Sequence, residues 1–380
     1  MRTFAPTEGP VPRSFSLLFL SALVGCGWYF FRGPGVGQLE KYLPAPKPGY
    51  TQSAPPNYTP YPGGPATAQG GVGGQASSNE DLFGGGAPVP VGAPALVGQV
   101  ASPLAAGPTI RIASFNVQVF GDAKASQAHI MWTLAAIIQN FHVVAIQEIR
   151  TQDDYFLTNF LRDYVNQRGR YYHYVIGPRL GRSHSTEQYA YIYDTAAVEI
   201  NPQSIYTIHD PDDLLHREPH VAMFRARGPP PNEAFTFVLV NTHTDPDETD
   251  SELDALGQVY QVVRRTAGGE DDIIILGDLN VDDQNLGQHG KLQGIRPIVR
   301  GVFTNTRQSA LYDNIILHQA SSAEFTGRWG VYNVEQLHSL TRDQALQVSD
   351  HLPVWAEFSV YESAGPGRMA AARGAAIRAQ

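Results

Sequence analysis

Residues 272–280 read DIIILGDLN, an uninterrupted apolar run that ends in a glycine, an aspartate and an asparagine. A short run of branched aliphatic residues predicts a strand that is buried on both faces. Residues 235–242 (FTFVLVNT) and 143–147 (VVAIQ) have the same character, and His243 and Glu148 follow them directly. Polar residues thus cluster at predicted strand ends, which favours a single site on one rim of the fold.

The order of the predicted elements indicates two packed sheets. A strand at 110–117 and an amphipathic helix at 130–141 precede the 143–147 strand, and two more amphipathic helices are predicted at 156–164 and 253–263. Further strands are predicted at 172–176, 189–193, 235–242, 272–276, 314–318 and 354–360. Several strands follow one another with little helix between them, unlike a doubly wound parallel sheet. We therefore predict an α/β fold of two packed sheets with helices outside.

Composition excludes several classes of protein. The chain has 380 residues, 27 Lys+Arg, 36 Asp+Glu and a single cysteine, Cys26, in an apolar stretch. One cysteine excludes a disulfide scaffold, a thiolate zinc cluster and nucleophilic thiol chemistry in the domain. Residues 108–361 contain 19 basic and 31 acidic residues, so a broad basic footprint for nucleic acid is absent.

Residues 1–32 predict a membrane anchor or signal. Residues 14–31 (SFSLLFLSALVGCGWYFF) are uncharged and long enough for a marginal membrane span. The tetrad LVGC at 23–26 resembles the cleavage box of bacterial lipoproteins, in which the cysteine, here Cys26, is lipidated. The alternative is an uncleaved signal-anchor helix. Either one predicts a membrane-tethered protein of the cell envelope, and an extracytoplasmic domain is our hypothesis.

The rest of the chain divides by composition. Residues 33–107 contain 16 Gly and 13 Pro and predict a disordered linker. Residues 108–361 have the size and mixed composition of one catalytic domain. Residues 362–380 carry three arginines among Ala and Gly, which predicts a flexible basic tail.

Hard oxygen donors stand at the predicted rim. They are Glu148, Asp278 and Asp350, with Asn116 and Asn280 as neutral helpers. Such a set suits Mg²⁺ or Mn²⁺, which keep coordination positions for water and phosphate. The sequence has no HExxH motif, so zinc is not expected.

Two histidines accompany these donors, His243 after one predicted strand and His351 before the last. Phosphodiester cleavage needs a base that takes a proton from the attacking water and an acid that protonates the leaving alkoxide. Each imidazole requires a carboxylate on its second nitrogen to fix its tautomer, and Glu187 and Asp313 are available.

Eight motifs carry a family resemblance along 109–361. In order they are SFNVQVFG, QEIR, GRSHSTEQYAYIY, REPHVAMF, LVNTHTD, ILGDLN, LYDN and SDHLPV. Together they resemble the endonuclease/exonuclease/phosphatase superfamily, most closely its deoxyribonuclease I branch. The resemblance implies a four-layer sandwich of two central sheets flanked by helices, with the site at one rim.

The resemblance also implies a role for each matching residue. Glu148 would be the principal metal ligand, and the metal and phosphate shell would be completed by Asn116, Asp278, Asn280 and Asp350. His243 would pair with Glu187, and His351 with Asp313. Arg150 and Arg217 would hold substrate phosphates through directed guanidinium bonds. For Arg150 the alternative is a surface ion pair.

Departures from the family pattern concern substrate contacts and calcium. Gln118 and Asn314 stand where arginine is usual, and Ser185 replaces a tyrosine that enters the minor groove, so weaker duplex binding is expected. An acidic turn is a candidate for structural Ca²⁺ or for a plain solvated turn; it contains Asp210, Asp212, Asp213 and Glu218.

Three functions are compatible with the sequence. The first is a metal-dependent endonuclease that hydrolyses duplex DNA with weak sequence preference, acts as a monomer and has no predicted protein partner. The second is a phosphodiesterase or phosphatase for a small or lipid phosphate ester, similar to a sphingomyelinase. The third is a binding module without activity, which is disfavoured because every metal and histidine position is filled.

Overall fold

The computed structural model describes residues 108–167, 169–182 and 186–363. The predicted anchor, the Gly/Pro-rich linker and residues 364–380 of the tail lie outside these ranges. Within them, no helix is long and apolar enough to cross a membrane.

Strands and helices alternate irregularly along the described chain. The helices are α1 (Asp122–Ala125), α2 (Ala128–Ile138), α3 (Phe156–Asp163), α4 (Thr249–Thr266), α5 (Val334–His338) and α6 (Arg342–Val348). The strands are β1 (Thr109–Phe120), β2 (Val143–Ile149), β3 (Tyr172–Ile176), β4 (Gln188–Asp194), β5 (Val198–Ile200), β6 (Tyr206–Thr207), β7 (His220–Ala226), β8 (Thr236–His243), β9 (Ile273–Asp278), β10 (Ile295–Pro297), β11 (Asp313–His318), β12 (Phe325–Val331) and β13 (Val354–Ser359).

The strands form two mixed sheets. The first has the order β12-β13-β1-β2-β4-β3, and the second has the order β10-β11-β9-β8-β7-β5, with β6 paired to β7. β1 with β2 and β8 with β9 are parallel pairs, and the remaining pairs are antiparallel. The predicted architecture, a four-layer α/β sandwich, is confirmed.

The apolar run at 273–276 is explained by burial on both faces of β9. Ile274 and Leu276 point into the core between the sheets. Ile273 and Ile275 point outward and pack against α4, which covers the second sheet through Leu256 and other apolar residues. Because neither face meets water, no polar residue interrupts the run.

Several elements were not predicted from the sequence. These are the short strands β5, β6 and β10, together with β7, β12, α1, α5 and α6. Predicted boundaries differ by up to four residues: α4 begins at Thr249 and β1 extends to Phe120. Glu148 and Asp278 lie within the last residues of their strands rather than after them.

A buried polar bridge joins the two sheets beside the rim. Gln147 of β2 donates from Nε2 to Asn241 Oδ1 of β8 at 2.6 Å. Asn241 Nδ2 donates to the backbone carbonyls of Ile146 and Ala190 at 3.1 and 3.2 Å. Each amide is fully buried and has partners, so the bridge fixes how the strand ends of the two sheets align.

A buried histidine makes the stability of the domain depend on pH. His289 packs edge-on against Tyr260 of α4, and burial lowers the pKa of His289 to about 4. In the unfolded chain its pKa is about 6.5. The unfolded state therefore binds more protons between pH 6.5 and 4, and the free energy of unfolding falls as the pH falls through this window.

We expect His289→Leu to reduce this loss. Between pH 7 and pH 5 its free energy of unfolding should fall by about 2 kcal/mol less than that of the wild type, as measured by urea unfolding. The exposed His209→Leu variant is the control and should keep the wild-type pH dependence. Equal pH dependence in His289→Leu and the wild type would contradict this expectation.

Candidate active site

His243 ends β8 and is held by a buried carboxylate. Its Nδ1 donates to Glu187 Oε1 at 2.9 Å, and its backbone N–H donates to the hydroxyl of Tyr189 at 3.0 Å. Glu187, just before β4, is fully buried. This bond leaves His243 Nε2 directed at Asp278, 3.5 Å from Oδ2.

His351 is held in the same way from the other side. Its Nδ1 donates to Asp313 Oδ2 at 2.9 Å, and the same oxygen accepts a 2.8 Å bond from the hydroxyl of Thr304. The Nε2 of His351 lies 3.4 Å from Asp278 Oδ2. The two Nε2 atoms therefore converge on one oxygen atom of Asp278.

The electrostatics of this arrangement favour charged imidazoles. Burial lowers the pKa of His351, but Asp313 and Asp278 outweigh it and hold this pKa well above its usual value. Burial likewise lowers the pKa of His243, and Glu187 with Asp278 raises it overall. For Asp278, burial raises the pKa, and the two histidines with Asn116 bring it below the usual value. Both imidazoles thus have a buried negative neighbour that stabilises the added proton.

Asn116 joins the histidine region to Glu148. Its Nδ2 donates to Asp278 Oδ2 at 2.9 Å and to Glu148 Oε1 at 3.1 Å. The backbone N–H of Val119 donates to Glu148 Oε2 at 2.8 Å. Asn280 N donates to Asp278 Oδ1 at 3.1 Å, and Asn280 Nδ2 is bound to the Thr244 carbonyl.

Local backbone geometry places these side chains. Glu148 has φ 62° and Asn280 has φ 51°, both in the left-handed region. Asparagine tolerates this region, whereas a glutamate there is uncommon and signals a position that the surrounding structure imposes. Glu148 lies at a register irregularity near the end of β2, and Asn280 follows β9 by two residues, so the local backbone orients both side chains.

The donor set fits a hard divalent cation. Glu148 and Asp278 present carboxylate oxygens that are joined through the Asn116 Nδ2 group, and Asn116 Oδ1 accepts the Gln118 N–H. The side chain of Glu148 is 13% exposed. Asp350 lies on the other side of His351, with Oδ1 4.0 Å from its Nε2. Among the described residues, the tight acidic and histidine group at this rim consists of Asp278, Asp313 and His351 rather than Glu148 and Asp350. The predicted ligands are thus neighbours, but they do not form one tight cluster.

The two predicted phosphate-binding arginines have different surroundings. Arg150 Nη2 lies 3.3 Å from Glu148 Oε2 and 3.3 Å from Glu187 Oε2, and its side chain is 24% exposed. Arg217 is buried behind the His243 pair, with Nε 3.5 Å from Glu187 Oε2 and Nη1 3.5 Å from the His243 carbonyl. Arg150 borders the rim, whereas Arg217 contacts the base of the site.

The residues that depart from the family pattern do not all face the rim. Asn314 is buried and exchanges hydrogen bonds with the backbone of Val299, so its side chain supports β11 rather than the rim. Gln118 is partly exposed near Glu148, and its N–H donates to Asn116 Oδ1. Ser185 lies outside the described residues.

The acidic turn at 210–218 does not form a compact cation site in the described ranges. Asp210 Oδ2 accepts the backbone N–H of Leu215 at 2.7 Å. Asp213 Oδ1 pairs with Arg182 at 3.0 Å, and Arg182 also binds Glu248. The guanidinium of Arg182 therefore neutralises acidic charge at this turn, where the sequence analysis named structural Ca²⁺ as a candidate.

Several supporting residues were missed by sequence reasoning. Thr304 orients Asp313, and the hydroxyl of Ser349 joins the Asn116 carbonyl to the His351 N–H at 2.7 and 3.0 Å. Lys124 is buried and donates to the Val348 carbonyl at 2.8 Å. Burial lowers the pKa of Lys124 to about 8, against Asp350 and Glu148, which raise it. Small polar residues in loops carry no sequence signal that distinguishes them from ordinary turn residues.

The fold and this rim define a phosphodiester hydrolase, and comparisons with known proteins agree. Residues 113–351 match the model of the Endonuclease/Exonuclease/phosphatase family. The chain belongs to this family, and within it resembles deoxyribonuclease I. It is a nuclease-type hydrolase that acts on phosphodiester bonds.

Individual relatives cover the described domain. The chain is 31% identical to Deoxyribonuclease gamma of Rattus norvegicus over 272 residues, which are 67% of this chain and 86% of the relative. It is 32% identical to Deoxyribonuclease-1-like 1 of Sus scrofa over 260 residues, 66% and 81% of the two chains. A solved structure of D. rerio TDP2 with a single-strand DNA product aligns with a TM-score of 0.48 at 18% identity, over 66% of this chain and 99% of that one.

The Glu187 carboxylate provides a test of the His243 pair. Glu187→Gln keeps the shape but removes the charge that raises the pKa of His243. We expect the limb of the pH–rate profile that reports His243 to move to lower pH, which is the acidic limb for a base and the alkaline limb for an acid. The maximal rate should fall by about 100-fold, because the imidazole loses its fixed tautomer. Glu199→Gln, which removes a remote ion-paired carboxylate of β5, is the matched control. A profile in which neither limb moves would show that Glu187 does not act through His243.

Proposed function

We propose that the chain is a metal-dependent endonuclease that hydrolyses DNA phosphodiester bonds. The observation that carries the proposal is the convergence of His243 Nε2 and His351 Nε2 on Asp278 Oδ2, each ring backed by a buried carboxylate. The deoxyribonuclease names of relatives at 31% and 32% identity support DNA as the substrate.

In the proposed mechanism the two histidines divide the proton transfers. One imidazole accepts a proton from the attacking water, and the other donates a proton to the leaving alkoxide of the sugar. The Nδ1 bonds to Glu187 and Asp313 keep each Nε2 free to face the scissile phosphate. Asn116 and Asn280 fix Asp278 between the rings.

A cation would be held at the adjoining oxygen donors. Glu148, Asn116 and Asp278, with Asp350 nearby, would hold Mg²⁺ or Mn²⁺. When bound, the ion would stabilise the negative charge that develops on the phosphate. This metal dependence is part of the proposal.

Substrate binding is proposed to be weak and insensitive to sequence. The domain is acidic, and positioning depends on a few cations such as Arg150, which borders the rim. Few phosphate contacts predict a shallow dependence of affinity on salt. A monomer without a protein partner is sufficient for this activity.

A substrate comparison tests the proposal against a small-ester or lipid phosphodiesterase. The full chain is assayed on supercoiled plasmid, on a small aryl phosphodiester and on sphingomyelin vesicles, with the same cation in each assay. We expect plasmid nicking at a catalytic efficiency at least about 100-fold above that for either small substrate. Efficient sphingomyelin hydrolysis without nicking would replace the nuclease by the lipid phosphodiesterase.

We also propose that the chain is tethered to the cell envelope through its first 32 residues, with the domain outside the cytoplasm. The uncharged segment at 14–31 and the LVGC tetrad support the tether. Incorporation of radiolabelled palmitate by the wild type and its loss in Cys26→Ser would support lipidation. A membrane-bound chain without label would indicate a signal anchor, and a chain released with soluble proteins in both variants would refute the tether.

A further inference from the structure

A second group of carboxylates lies at the end of the sandwich opposite the candidate active site. Asp272 directly precedes β9, Glu324 precedes β12, and Glu362 follows β13. One ligand oxygen of each residue lies within 4.8 Å of the others. β9 belongs to the second sheet, whereas β12 and β13 belong to the first, so the group joins the two sheets. We call these three residues the acidic clasp.

Two members of the acidic clasp are buried without adequate partners. Asp272 is fully buried, and neither of its carboxylate oxygens accepts a well-formed hydrogen bond from the described residues. Glu324 is 2% exposed, and its Oε2 also has no partner in the described ranges. The hydroxyl of Ser322 lies close enough to lower the pKa of Asp272, yet it too makes no well-formed bond there. A buried carboxylate in such surroundings costs several kcal/mol unless a positive charge compensates it.

The electrostatic surroundings of Asp272 are acidic. Burial raises the pKa of Asp272, and Glu324, Glu270 and Glu362 raise it further, to about 10. Burial also raises the pKa of Glu324 to about 6. Raised pKa values of this kind are expected where several acids face one another, and such a group attracts a cation.

The position and chemistry of the acidic clasp point to a divalent cation. We propose that Asp272, Glu324 and Glu362 bind a structural Ca²⁺, with the hydroxyl of Ser322 as a further oxygen donor. Ca²⁺ accepts six to eight oxygen ligands in flexible geometry, which three carboxylates from separate segments can supply together with water. Mg²⁺ requires near-ideal octahedral geometry and fits such a set less well.

The bound ion would join the two sheets and the end of β13. Glu362 Oε2 accepts the backbone N–H of Thr236 at 3.1 Å, so the site also reaches the start of β8. Asp272 and Asp278 lie at opposite ends of β9, six residues or about 20 Å apart. The Ca²⁺ site is therefore separate from the candidate active site and does not depend on the proposed function.

Calcium binding by the full chain tests the proposal. Every protein carries Glu148→Gln, which removes a carboxylate from the cation site proposed at the candidate active site. After EDTA treatment, bound ⁴⁵Ca²⁺ is counted by equilibrium dialysis, and Tm is measured with and without 1 mM Ca²⁺. We expect one tightly bound Ca²⁺ and a rise in Tm of about 5 °C or more, as for a ligand near 100 times its Kd.

Isosteric variants identify the ligands. Asp272→Asn and, separately, Glu324→Gln should each lose the bound Ca²⁺ and the rise in Tm. Without Ca²⁺ they should be at least as stable as the parent, because an amide in place of either buried acid stays neutral beside the other carboxylates. Asp343→Asn, which removes an exposed carboxylate of α6, is the control and should keep both effects. The proposal is overturned if the parent binds no Ca²⁺ at 1 mM, or if both clasp variants bind Ca²⁺ as the parent does.

Discussion

Replacing His351 by alanine is expected to lower the rate of phosphodiester hydrolysis by about 1,000-fold while the domain stays folded. His351 Nδ1 is bound to Asp313, and Nε2 faces Asp278. The variant removes a group that exchanges a proton in the transition state, so the loss should appear in kcat. His243→Ala should behave alike, and the double variant should be little worse than either single one, because the two rings act on one phosphate.

Two controls separate lost chemistry from lost structure. His209→Ala removes an exposed imidazole and should leave kcat within about twofold of the wild type. His351→Gln retains a polar group beside Asp313 and should be as inactive as His351→Ala while remaining closer to wild-type stability. Rates within a few-fold of the wild type for either His351 variant, measured at equal folded concentration, would contradict the assignment.

The largest effect on stability is expected at Gly277. β8 and β9 run in parallel there, with Thr242 opposite Gly277 and His243 opposite Asp278. A Cβ at position 277 would overlap the backbone carbonyl oxygen of Thr242. Gly277→Ala must therefore separate the two strands beside the site, and we expect the free energy of unfolding to fall by more than about 3 kcal/mol.

Gly257→Ala is the matched control for this substitution. Gly257 lies inside α4, and an added Cβ would make ordinary contacts with His289. Because alanine is favoured over glycine inside a helix by about 0.5–1 kcal/mol, this variant should be as stable as the wild type or more stable. Urea unfolding measures the free energy of unfolding of both variants. Similar stability of Gly277→Ala and the wild type would show that β9 does not need the close approach of Gly277 to the Thr242 carbonyl.

The sheets and the rim were predictable because a buried strand requires a run of apolar residues, which is visible in the sequence. A strand with both faces covered must be apolar along its covered length, as β9 is from Ile273 to Leu276, so the polar residues at its end are conspicuous. The pairs His243 with Glu187 and His351 with Asp313 came from the family resemblance, and the structure places the partners of each pair at 2.9 Å. Their catalytic roles remain predictions.

Other features could not be predicted, because their cause is tertiary. β5, β6 and β10 have only two or three residues, too few for a periodic pattern. Lys124 appears in the sequence as an ordinary surface lysine, and only the tertiary structure buries it and brings its Nζ to the Gln347 and Val348 carbonyls at the end of α6. The acidic clasp combines residues that are 38 to 90 positions apart, so no local motif marks it.

Nicking of supercoiled plasmid by the full chain, with Mg²⁺, Mn²⁺ and Ca²⁺ varied, tests the central claim most directly. Glu148→Ala accompanies the wild type, since Glu148 joins the Asn116 and Asp278 group that is proposed to hold the cation. We predict nicking with Mg²⁺ or Mn²⁺ that EDTA abolishes and that Glu148→Ala lowers by at least about 100-fold. Undiminished nicking in EDTA or in Glu148→Ala, or no nicking by the wild type with any of the three cations, would contradict a metal-dependent DNA endonuclease.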